Sequence, residues 1–192
     1  CLKKLIKLKA KFLNINHILM LYALKNPLFG KTSKDRKLNY ILLIGGVFKI
    51  SLIVLFCNYY PSDQLDFLSF FIDNPTFDPW DSWFKKGNLV SDFPYGPSIL
   101  IYFFPFLYIG KILGISINII YGIIVLITDY LILNVLVLIN KNQNILLNTR
   151  LKLMYWFFPL NFFIAYIIGI NEFVSVLYLL LTIYFLENQN KY

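Results

Sequence analysis

Long apolar runs constrain this chain more than any other feature of it. Leu38–Cys57, Ile115–Ile139 and Leu151–Leu186 contain few charges, and about 20 apolar residues in a helix match a hydrocarbon core of ~30 Å. The last run is long enough for two spans around a polar turn, Gly169-Ile170-Asn171-Glu172. A backbone in lipid must satisfy its own hydrogen bonds, and a helix does so within one segment. Composition argues against a soluble fold. The chain is 58% hydrophobic and 15% charged, with a mean hydropathy of +0.65, whereas soluble domains carry about 25% charged residues. The expected fold class is an all-α membrane protein, a multi-span helical bundle with a long external loop containing short interfacial helices. Spans are expected at about 38–57, 115–139, 151–168 and 173–186, with a polar tail at 187–192.

Charge sets the expected orientation. Residues 1–37 hold ten of the 18 Lys and Arg, from Lys3 to Lys37, against the single acid Asp35. The positive-inside rule places this arm in the cytoplasm. Leu2, Leu5, Ile6, Phe12 and Leu13 could form an apolar stripe along it, so part of the arm suits an anionic lipid surface. A basic run can also bind nucleic acid. Here it abuts a membrane span, so lipid is the expected partner and nucleic acid is not. The arm shows no small-residue cleavage site of a signal peptide. The two cysteines, Cys1 and Cys57, give no disulfide framework. The first residue is not Met and the chain stops soon after an apolar run, so a fragment of a longer membrane protein is expected.

Leu38–Cys57 then runs outward into residues 58–97, which hold six of the chain's ten acids: Asp63, Asp66, Asp73, Asp78, Asp81 and Asp92. That loop is expected to be external, and long ordered loops usually carry function. Its Trp80, Trp83, Tyr59 and Tyr60 suit the headgroup layer. Two routes lead onward. If 98–114 spans, the loop with Lys141, Arg150 and Lys152 falls outside. If it is a broken interfacial or re-entrant helix, Ile115–Ile139 runs inward and those cations stay in the cytoplasm. Pro105 lacks an N–H and interrupts the helical ladder, which favours the second route.

Two ionisable residues fall within spans, Lys49 and Asp129. A charge at mid-bilayer costs at least ~2.5–3.5 kcal/mol, so such groups face the protein interior and find partners. On the second route the two lie at matched depth. They read either as a structural ion pair or as groups that move a substrate or proton. Glu172, beside Asn171, reads as a solvated turn acid or as a ligand for a metal or phosphate-linked donor. Asp63 and Asp66 follow the first span directly, where a carboxylate held at the membrane surface could serve as general base. Asp73, Asp78, Asp81 and Asp92 lie among Pro and Gly and read as turn or cap residues. No nucleophile elbow, phosphate-cradling glycine loop or paired Cys and His occurs, and the lone His17 sits in the basic arm.

Four features in order resemble the GT-C superfamily of membrane glycosyltransferases. An early loop aspartate occurs in Tyr60-Pro61-Ser62-Asp63-Gln64-Leu65-Asp66. An aromatic-proline signature, Phe93-Pro94-Tyr95-Gly96-Pro97, precedes an apolar helix. Val125-Leu126-Ile127-Thr128-Asp129 places an aspartate in the next span. Pro159-Leu160-Asn161 leads to the polar turn before Phe173. The resemblance covers roughly residues 38–186, the N-terminal part of such a transmembrane domain, since members are about twice as long. It implies transfer of a sugar from a polyprenyl-phosphate donor to a lipid-linked or cell-envelope acceptor at the external face, with inversion. It implies Asp63, or alternatively Asp66, as catalytic base, with Tyr95, Asn171 and Glu172 on the donor or acceptor side. No cofactor is implied: Asn171 stands where a paired acid would complete a divalent-metal motif. The rival class is a transporter or flippase working through Lys49 and Asp129. A non-catalytic membrane assembly subunit is the third.

Overall fold

The computed structural model describes residues 33–140, 145–169 and 172–189. All regular structure among them is helical. Most of the basic arm, residues 1–32, and the last residues of the polar tail, 190–192, lie outside the described residues. The chain divides between Leu43 and Ile44 into two units. The described part of the first is the opening of helix α1 (Ser33–Phe56); all packing below concerns the second.

Among the described residues, three helices are long and apolar enough to cross a membrane: Lys37–Tyr59, Ile117–Ile139 and Asn148–Ile168. They correspond to three of the four expected spans. The fourth, Phe173–Glu187, is apolar but shorter.

After α1, a short 3-10 turn at Cys57–Tyr59 leads into α2 (Ser62–Asp73) and α3 (Pro79–Phe84). Pro79 opens α3 where its missing N–H costs nothing, and the Asp78 carboxylate accepts from the Asp81 backbone N–H at 3.0 Å. The segment folds around its own aromatic centre. Phe67 stacks on Phe93 at 4.8 Å, Trp80 Nε1 donates to the Phe93 carbonyl, and Trp83 Nε1 donates to Asp92. Two indole N–H groups therefore close the loop across the sequence as the rings exclude water.

Helix α4 (Pro97–Ile112) corrects an expectation, because it runs unbroken through Pro105. The carbonyl that Pro105 leaves without a donor is that of Ile101. Both residues are on the exposed side of α4, while Ile99, Leu100, Phe103 and Leu107 pack inward, so the defect faces away from the core. At 16 residues α4 is about 24 Å long, shorter than a ~30 Å hydrocarbon core.

Helix α5 (Ile117–Ile139) is the axis of the assembly. Close approach is built from glycine. A Cβ on Gly122 would stand 2.5 Å from Ile53, and one on Gly110 would collide with Ile120. These contacts fix direction. From Tyr60 to Ile53 to Lys49, α1 meets Tyr121, Gly122 and Asp129 in turn, so α1 and α5 are antiparallel. Helix α4 meets α5 through Tyr102–Thr128 and then Gly110–Ile120, so it runs in the same sense as α1. The ends of α1 and α4 and the start of α5 therefore share one end of the molecule, the loop end. This is the chain direction that the second route requires.

Helix α6 (Ile145–Trp156) returns along α5. Asn140 bonds Asn148, Tyr130 packs edge-on to Trp156, and Tyr121 reaches Gly169. The span expected at 151–168 is present as Asn148–Ile168 but is not one regular α-helix. The helix stops at Phe157–Phe158, restarts as α7 (Pro159–Asn161), and widens into a π-helix at Phe162–Ile168. Pro159 cannot donate to the preceding turn, and the Asn161 side chain bonds the Tyr155 carbonyl instead. Gly169, at φ +78°, ends the π-helix with the Tyr60 ring against it; a Cβ there would lie 2.5 Å from the ring. Helix α8 (Phe173–Gln189) departs from the loop end and packs along α5 through Phe173, Val174 and Leu177.

Candidate functional site

Two polar groupings mark the molecule, and they differ in depth. The first is the buried Lys49–Asp129 pair. Lys49 stands ten residues before Tyr59, and Asp129 twelve after Ile117, so both are about 15–18 Å from the loop end. Lys49 Nζ donates to Asp129 Oδ2 at 2.6 Å, and neither side chain has any exposed surface. Tyr166 donates to the same oxygen at 2.6 Å and Tyr155 to Oδ1 at 2.7 Å. The ammonium lies 3.4 Å from the centre of the Trp156 ring, with Phe162 and Tyr166 farther around it. Three donors on one carboxylate and an aromatic wall on the cation offset the loss of water from both charges.

Depth matching brought Lys49 and Asp129 together in the sequence, but Tyr155, Trp156 and Tyr166 gave no signal there. In an apolar run a tyrosine facing lipid looks the same as one facing a carboxylate. In a straight helix the Tyr155 and Tyr166 Cα atoms would be about 16 Å apart along the axis. The break at Phe157–Phe158 and the π-helix after it accompany the turn of both phenols onto one aspartate.

The second grouping is at the loop end. Asp63 and Asp66 are exposed and one turn apart on α2, opposite the buried face of Leu65, Phe67, Leu68 and Ile72. Asp63 accepts from the Ser62 hydroxyl at 3.2 Å. Glu172 is exposed just before α8, and its carbonyl accepts from the Val176 N–H. Asn171 lies outside the described residues. Tyr95 is half-buried, edge-on to Phe93 at 5.1 Å.

Tyr121, at the start of α5, links these pieces. Its fully buried hydroxyl is 2.9 Å from the Gly169 carbonyl and 3.3 Å from Gln64 Oε1. Gln64 is the neighbour of Asp63, so α2 and Gly169 at the end of the π-helix meet at one phenol. Tyr60 adds a second tie. Burial, and then the adjacent Cys57 thiol, push its phenol above the ordinary range. It stays protonated and donates to the Tyr166 carbonyl at 3.4 Å.

Among the described residues no group of three or more His, Cys, Asp or Glu side chains could hold a metal ion. A small groove of about 210 Å³ between α2 and α4 is lined by Ile72, Leu107 and Ile120, with the Asp73–Lys111 pair at its rim. No family model matches the chain, and neither a curated protein nor a solved structure matches it.

Proposed function

We propose that the chain is a multi-pass integral membrane protein with a cytoplasmic N-terminal arm, and that its loop end is the acidic face of a glycosyltransferase using a polyprenyl-phosphate sugar. One observation carries this reading: Gln64 and Gly169 converge on Tyr121, so Asp63 and Glu172 belong to the same end of the bundle. Exposed carboxylates at a membrane surface are reachable by an acceptor hydroxyl and by a donor whose tail stays in lipid. Asp63 takes the proton of the acceptor hydroxyl, with Asp66 one turn away as the alternative base. The acceptor oxygen bonds to the anomeric carbon with inversion. The bond from that carbon to the lipid phosphate breaks, and polyprenyl phosphate leaves. Glu172 and Tyr95 flank the sugar.

The Lys49–Asp129 pair is the structural keystone of this reading and not its working part. Both Asp129 oxygens and the Lys49 ammonium are occupied by protein partners. A transport role would require those contacts to open during each cycle.

The test is sugar transfer in membranes carrying the protein, with radiolabelled polyprenyl-phosphate glucose and mannose as donors. Asp63→Asn should lower transfer by about 10²–10⁴-fold, the usual contribution of a general base, at unchanged protein level. Full transfer by both Asp63→Asn and Asp66→Asn would remove the catalytic assignment.

A further inference from the structure

We propose that Tyr121 is a positioning residue whose single hydroxyl clasps α2 to the end of the π-helix, holding the Asp63 and Glu172 sides of the loop end in register. The assignment of these carboxylates to catalysis rests on the glycosyltransferase reading; the clasp itself does not.

The geometry supports a clasp over simple core packing. A phenylalanine would fill the same space; the hydroxyl is the part of Tyr121 that can tie elements together. Here the ring is packed by Tyr60 at 5.6 Å and Phe103 at 5.5 Å, and the hydroxyl reaches past them to two separate elements. A phenol has one proton to give. The Gly169 carbonyl at 2.9 Å is the nearer acceptor and Gln64 Oε1 at 3.3 Å the second, so the two elements share one O–H. Neither partner is held at that spot by regular structure alone. Gly169 ends a π-helix in a left-handed conformation, and Gln64 is in the first turn of a helix that begins at Ser62. Tyr60 reinforces the clasp, because its ring covers Gly169 while its hydroxyl bonds the Tyr166 carbonyl in the same π-helix. Tyr166 also bonds Asp129, so the loop end is tied back to the deep ion pair.

Spin labels at Ser62→Cys and Ser175→Cys, in a Cys1→Ser, Cys57→Ser background, report the register; because Ser62 donates to Asp63, transfer is measured in the unlabelled protein that keeps Ser62. Ser62 and Ser175 are both exposed. The protein in lipid bilayers should give one narrow distance distribution. Tyr121→Phe keeps the ring and removes only the oxygen, and should broaden or split that distribution. Gln64→Leu should broaden it less, and serves if Tyr121→Phe does not fold. In the transfer assay, Tyr121→Phe should lower kcat by about tenfold or more with KM changed less than about twofold. A distribution unchanged in position and width in both variants would overturn the clasp and leave the glycosyltransferase reading intact. Broadening in a protein that shows no transfer would sustain the clasp and overturn that reading.

Discussion

The two acidic regions of this molecule solve opposite problems. Asp129 has no exposed surface and is surrounded by Lys49, Tyr155 and Tyr166. Asp63, Asp66 and Glu172 are exposed, and the Ser62 hydroxyl donates to Asp63. A charge placed deep in the bundle must be neutralised locally before the fold is stable, so its neighbours are fixed and it has no capacity left over. A charge at the surface is free of that demand and can meet a substrate. Substitution of the deep group should therefore cost stability, and on the proposed reading substitution of the shallow groups should cost activity.

Breaking the deep pair is expected to have the largest effect. Lys49→Met leaves a buried carboxylate without its cation, and Asp129→Asn leaves a buried ammonium against Trp156. Either should destabilise by about 3–5 kcal/mol, read as unfolding in mixed micelles of increasing denaturing-detergent fraction. The double variant Lys49→Met, Asp129→Asn should recover most of that loss. Recovery will not be complete, since the amide that replaces the carboxylate has one acceptor oxygen and cannot accept from both phenols as the carboxylate does. If the double variant were worse than the sum of the two, the pair would not be a neutralisation unit and the contrast between the regions would collapse.

The tyrosines sharpen the same contrast at a smaller scale. Tyr155→Phe and Tyr166→Phe each remove one hydrogen bond to a charged acceptor, worth about 1.5–3 kcal/mol. Tyr166→Phe should cost more, because its bond to Asp129 is the more buried of the two. Equal losses would mean that the helix break, and not the carboxylate, sets the positions of these rings.

Much of the scaffold is legible in the sequence, and the reasons are physical. Hydropathy locates Lys37–Tyr59 and Ile117–Ile139 because lipid demands length and apolarity, both visible in one dimension. The Lys49–Asp129 contact follows from depth once the chain direction is right. Pro105 and Pro159 look alike in sequence, yet only Pro159 coincides with a break. Pro105 sits on the exposed face of α4, where its ring does not disturb the packed side, while Pro159 follows a Phe157–Phe158 junction that an asparagine side chain can bridge. Helix rotation decides such cases, and an almost uniformly apolar run carries little information about rotation. The same holds for Gly110 and Gly122, whose roles depend on which side chain lies opposite. At the loop end, Asp63 and Glu172 could be named from order along the chain, but Tyr121 could not, because its contacts with Gln64 and Gly169 exist only in three dimensions.

The shallow carboxylates should be nearly silent in stability. Asp63→Asn, Asp66→Asn and Glu172→Gln are each expected to change unfolding free energy by less than about 0.5 kcal/mol, as surface substitutions do away from caps and packed sites. The same denaturing-detergent titration measures this beside the Lys49 and Asp129 variants. A loss of several kcal/mol at Asp63 would show that this carboxylate is part of the fold, and the reason for assigning it to substrate would be gone.

The smallest effect separates two lysines by burial alone. Lys85 donates to Asp81 at 2.7 Å, as Lys49 does to Asp129, but it is exposed on the loop. The hydrogen bond to Asp81, followed by the charges of Asp81 and Asp78, holds the Lys85 ammonium above the ordinary lysine range. A cation whose folded value is raised stabilises fully at pH below its unfolded value and loses that contribution as pH rises through the folded one. The window for Lys85 is therefore strongly alkaline, and between neutral pH and the ordinary lysine range its pair should add no pH dependence. Side-chain NMR titration of Lys85 in micelles should show a midpoint above that of a free lysine, returning toward it in Asp81→Asn. Lys85→Gln should leave unfolding unchanged within error, because solvent and salt screen an exposed pair. If removing Lys85 cost as much as removing Lys49, the identity of the bond would matter and burial would not, contrary to the distinction drawn between the two regions.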